Sequence, residues 1–129
     1  MSLPANLRGW GPGWPTNRAA DMVTVRARSG ASWQVHKGIA PLVQFLVDET
    51  ERRGYLFHHP GDVHDDWGYA NRAIRGTRTP SNHSWGLALD VDATKYPQFS
   101  SKRLPQWIVD LWKHYGFEYG GDYSPSRRD

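Results

Sequence analysis

Two apolar stripes at helical spacing limit how this chain can fold, because each must be buried against something. Ile39, Leu42, Val43 and Leu46 fall on one helical face, with Pro41 tolerable in the first turn and Gly54 just past the end. Ile108, Leu111, Trp112 and Tyr115 repeat the pattern over residues 105–115, and Gly116 supplies the stop. Strand signals are shorter. Met22-Val23-Thr24-Val25 is β-branched and ends at Arg28-Ser29-Gly30, and Leu87, Leu89 and Val91 alternate with Ala88, Asp90 and Asp92. The expected architecture is a small α+β domain, with helices packed on one face of a small antiparallel sheet and a site on its open face.

At 129 residues the chain reads as a single domain. Residues 1–30 form an irregular Trp/Gly/Pro-rich lead plus a short strand, and residues 31–129 form the core. The stretch GWGPGWP cannot propagate a helix, and its Trp10 and Trp14 are expected to pack on the domain rather than line a cleft. Residues 58–78 mix His, Asp, Gly and Arg without periodicity and read as a long loop of the kind that carries function.

Sixteen basic residues against 13 acidic ones leave a net charge of +3, dispersed along the chain, which argues against a nucleic-acid partner. An anionic polymer such as a cell wall suits the same surface. With no cysteine there is no disulfide and no thiolate ligand, so metal chemistry falls to His, Asp and Glu. No stretch approaches membrane-spanning length, and the amino terminus lacks the pattern of a signal peptide, so the expectation is a monomer made in the cytoplasm.

The candidate chemistry sits in Ser81-Asn82-His83-Ser84-Trp85-Gly86-Leu87-Ala88-Leu89-Asp90. As a strand, Leu87–Asp90 would bury its leucines and present Asp90 on the other face, while Gly86 lets the chain turn so that His83 comes back beside it. Imidazole and carboxylate are good zinc ligands, but a structural His–Asp hydrogen bond fits the same spacing. From these residues alone both readings stand.

The set Ser81, His83, Gly86, Ala88 and Asp90, in the pattern S-x-H-x-x-G-x-A-x-D, resembles the signature of zinc peptidases that include D-alanyl-D-alanine carboxypeptidases and phage L-alanyl-D-glutamate endopeptidases. Tyr69-Ala70-Asn71-Arg72-Ala73-Ile74-Arg75-Gly76 is similar to the family segment whose arginine holds a substrate carboxylate or the developing oxyanion. The segment from Gly116 to Ser124 resembles the family's aromatic-Gly-Gly-Asp-aromatic stretch. The resemblance covers about residues 30–129 and implies the fold shared by hedgehog-type and D-Ala-D-Ala carboxypeptidase-like domains. It implies Zn2+ as cofactor with His83 and Asp90 as ligands, Arg72 steadying the substrate, and Ser81 shaping or hydrogen-bonding the site. The implied partner is a peptidoglycan stem peptide, cut by the catalytic domain of a phage lysin, one module of a longer protein, released from the cytoplasm to the wall at lysis.

In that family an acidic residue, two spacers and a histidine complete the site. Asp129 stands where the catalytic acid is expected, and the histidine three positions later lies beyond this sequence. The resemblance therefore leaves three readings: a fragment ending inside the site, a non-catalytic wall-binding or interaction domain of the same fold, or a replacement ligand. His58, His59, His64 and His114 are the replacement candidates, and His36 reads as a surface or capping residue. Glu118 ranks below Asp129 as base, Asp92 is placed to orient a ligand, and Arg75 and Arg78 read as surface residues near Arg72.

Overall fold

The computed structural model describes residues 1–3, 10–92, 95 and 103–122. Strands β1 (Met22–Arg26) and β2 (Ser32–His36) form an antiparallel hairpin with Thr24 opposite Gln34 and Val25 opposite Trp33. Their alternation puts Val25, Trp33 and Val35 into the core and leaves Thr24, Arg26 and Gln34 on the open face. Helix α1 (Ala40–Arg52) packs on β1 with Val43, Leu46 and Val47 fully buried, and α2 (Gln106–His114) packs on α1 through Ile108, Val109 and Trp112. Both helices lie where the apolar stripes place them, except that Tyr115 falls just past the end of α2 and is exposed. The Trp112 indole donates to Thr50 Oγ1 (3.0 Å), which in turn donates to the Leu46 carbonyl (2.7 Å), so the buried polar groups between the helices are satisfied.

The rest of the sheet is built from single pairings rather than full strands. Trp67 and Asp90 exchange both backbone hydrogen bonds, the Tyr69 amide reaches the Gln34 carbonyl (2.7 Å), and Ser2 sits between Ala88 and Glu118. The hairpin thus continues through Trp67–Tyr69 and Ala88–Asp90 to Met1–Leu3. Residues 87–92 were expected to be one strand. Ladder pairing within them stops at Asp90, and Asp92 takes a left-handed backbone (φ 47°), which ends the alternation. Met1–Leu3, read from sequence as part of an irregular lead, supplies a sheet position instead.

The rest of the described lead clasps the loops that carry the site. The Trp14 amide donates to Ser84 Oγ (3.1 Å), the Trp85 indole donates to the Gly11 carbonyl (2.9 Å), and Trp10 meets His36 edge-on at 4.9 Å. No helix among the described residues is long and apolar enough to cross a membrane.

Candidate metal centre

His83 lies in a single 3-10 turn, Asn82–Trp85, capped at its start by Ser81, whose Oγ accepts from the His83 amide (3.1 Å). Ser81 is fully buried, so it shapes the turn from beneath and presents nothing to a substrate. Gly86 closes the turn in the left-handed region (φ 72°). A Cβ there would lie 2.6 Å from the His36 amide nitrogen, so only glycine fits. The loop is pinned to the segment bearing Arg72 by two backbone bonds, Ala70 N to His83 O (3.0 Å) and Ser81 N to Arg72 O (3.1 Å).

The imidazole is almost wholly buried, and its Nδ1 lies 2.7 Å from the Gly68 carbonyl oxygen. A carbonyl can only accept, so Nδ1 carries the proton, and in the neutral ring Nε2 presents its lone pair on the opposite side. There it meets Asp90 Oδ1 at 3.4 Å. Two facing lone pairs repel unless a proton or a metal cation lies between them. The separation exceeds the usual 2.7–3.2 Å of an N–H···O bond. It matches the roughly 3.4 Å between two donors each about 2.0–2.2 Å from a tetrahedral zinc. A backbone carbonyl fixing the far nitrogen of a ligating histidine is the usual outer support of such a site. The pair therefore fits two of the ligands of a zinc ion.

Burial alone would raise the Asp90 carboxyl, but His83 when its Nε2 is protonated, the Met1 ammonium and Arg72 outweigh it and hold the group below the ordinary carboxylate range. Asp90 is thus an anion ready to ligate across the physiological pH range. The Met1 ammonium donates to the Leu89 carbonyl (2.9 Å), and burial lowers it to about 6. Arg72 is half-buried with Nη1 donating to the Ala73 carbonyl, while Arg75 and Arg78 are exposed.

Among the described residues no third histidine or carboxylate joins this pair. His58 and His64 stack on each other at 4.5 Å, His114 is exposed in the last turn of α2, and His36 Nδ1 accepts from the Gly38 amide. Glu118 is exposed beside Ser2, and Asp129 lies outside the described residues. Asp92 does not orient Asp90. Its left-handed backbone turns its carboxylate to the Tyr55 hydroxyl and into a cluster with Asp65 and Asp66, whose oxygens come within 4.8 Å of one another.

In that cluster Asp66 is raised to about 6, chiefly by burial, with Asp92 and Asp65 adding repulsion. Asp66 Oδ1 accepts from the Asp92 amide, and Oδ2 has no hydrogen-bond partner among the described residues. Because the folded-state value lies above that of an ordinary aspartate, the folded protein holds this proton more tightly. The stability it contributes is present below about pH 4 and lost as pH rises through about 6. Asp66→Asn, which keeps the acceptor and removes the charge, is expected to melt above wild type at pH 7–8, with the gap closing toward pH 4. Thermal melts across that range check it, and a gap that widens on acidification would refute the assignment.

A family description fits this geometry. Residues 75–129 match the family model of D-alanyl-D-alanine carboxypeptidases. The match takes in Ser81, His83, Gly86 and Asp90 and begins just after Arg72. The likeness is to a peptidase family and is confined to that carboxy-terminal stretch. No curated protein and no solved structure matches the chain significantly. Sequence reasoning singled out His83 and Asp90 but missed Gly68, whose contribution is a carbonyl and leaves no side-chain signal.

Proposed function

We propose that this domain is a zinc-dependent peptidase of peptidoglycan stem peptides, an L-alanyl-D-glutamate endopeptidase serving as the catalytic module of a phage lysin. The observation that carries the reading is the Gly68–His83–Asp90 arrangement, in which a carbonyl fixes the imidazole so that its free lone pair and an ionised carboxylate converge at 3.4 Å. His83 Nε2 and Asp90 Oδ1 hold the metal. When bound, zinc supplies Lewis acidity toward the scissile carbonyl and makes water a nucleophile near neutral pH.

The other steps belong to side chains. Arg72, pinned to the His83 loop, binds the substrate carboxylate or the oxygen that gains charge during attack. Asp129 takes the proton of the attacking water and returns one to the leaving amine. A catalytic zinc normally has three protein ligands, and His83 and Asp90 supply two of them. The competing reading, a wall-binding module whose His83 and Asp90 form only an ion pair, draws on the absence of a third ligand among the described residues.

Digestion of purified peptidoglycan by the zinc-loaded protein tests the proposal. Mass spectrometry is expected to find new amino-terminal D-glutamate. Released free alanine alone would overturn the bond assignment, and an unaltered wall would overturn the peptidase reading.

A further inference from the structure

Trp67 is the most exposed large aromatic side chain among the described residues, at 54%. An isolated exposed apolar residue needs no explanation, but this one is held in a fixed place. Its backbone exchanges both hydrogen bonds with Asp90 (3.3 and 2.7 Å), and the next residue, Gly68, is pressed against the Gln34 carbonyl so closely that a Cβ would lie 2.1 Å from that oxygen. The indole therefore stands on a backbone that cannot shift. Directly opposed residues of an antiparallel pair project to the same side, so Trp67 shares the open face with Asp90.

Beside it runs an open groove of about 320 Å³ whose walls include Thr24, Arg26, Gln34, Asp66 and Tyr69. Ligand sites start at about 300 Å³. One broad π-face set among hydroxyl, amide and guanidinium groups does not suit an apolar protein partner, which would need a wider apolar surface. It suits a pyranose ring, whose axial C–H face is apolar and whose equatorial edge carries hydroxyl and N-acetyl groups.

From this arrangement we infer that the groove at Trp67 is a sugar subsite, binding an N-acetylated amino sugar of the wall glycan by stacking on the indole. The inference rests on the proposed peptidase reading for the identity of the glycan. It also deepens that reading, because the groove lies beside Trp67, the residue whose backbone pairs with Asp90 of the proposed centre.

The test uses a peptide-free probe, a β-1,4-linked N-acetylglucosamine tetramer, titrated into the protein while tryptophan fluorescence and amide NMR shifts are followed. Saturable binding is expected, with shifts at Trp67, Gly68 and Gln34, and Trp67→Ala is expected to weaken it by about tenfold, the loss of one stacked ring. Trp67→Tyr, which keeps a flat aromatic, is expected to retain most of it. On the enzyme, Trp67→Ala should cut turnover of intact wall by a similar factor and leave turnover of a sugar-free stem peptide unchanged. No saturable binding, or binding indifferent to Trp67→Ala, overturns the subsite. Trp67-dependent sugar binding by a protein that cleaves no wall would uphold the subsite and overturn the peptidase reading instead.

Discussion

Gly68→Ala is expected to destabilise the domain by about 3 kcal/mol or more, lowering the melting temperature by about 10 °C, and to abolish metal binding with it. The new Cβ would sit 2.1 Å from the Gln34 carbonyl oxygen, a backbone atom of β2 that cannot rotate away. Relief requires the Trp67–Tyr69 segment to leave the hairpin, which breaks the Tyr69 bond to Gln34 and withdraws the carbonyl that orients His83. Gly120→Ala provides the control, since a Cβ there meets nothing within 4 Å. Calorimetry on the two variants decides the matter. If Gly68→Ala melts with wild type, the close approach of these segments is wrong.

His83→Ala carries the largest functional effect, an expected fall in turnover of about three orders of magnitude or more, because several kcal/mol of charge stabilisation depend on the metal it holds. The cavity it leaves and the unpaired Gly68 carbonyl also cost stability, on the order of 1–3 kcal/mol. Circular dichroism must therefore show that the variant is folded at the assay temperature. Asp92→Asn serves as the comparison. It alters the acidic cluster two residues along the chain and is expected to leave turnover within about tenfold of wild type. Equal losses in both variants would mean that His83 acts only through the fold.

The helices were legible because their stripes are long and regular, and burial at Val43, Leu46, Ile108 and Trp112 follows the spacing directly. The hairpin strand at Met22–Arg26 was legible from β-branching. The alternation at Leu87–Asp90 was legible too, whereas Ser2 and Trp67 were not, since they join by single bridges too short to set up an alternation, and their partners are distant in sequence. In the site, the His83 and Asp90 spacing with Gly86 between them was enough to bring the two side chains together. Ser81 was read as shaping or hydrogen-bonding the site, and its place before the 3-10 turn is the sequence signal of the cap it forms. Asp92 was assigned by alternation, which its left-handed backbone breaks.

Isothermal titration of the protein with zinc, beside Asp90→Ala and His83→Ala, bears most directly on the convergence of Nε2 and Oδ1. The arrangement predicts one zinc per chain in the wild type, with affinity reduced at least about 100-fold in either variant, beyond the 10–100-fold typical of losing an outer support. Wild-type protein that takes up no zinc even at excess metal, or variants that bind it as well, would contradict the metal centre and leave His83 and Asp90 as an ion pair only.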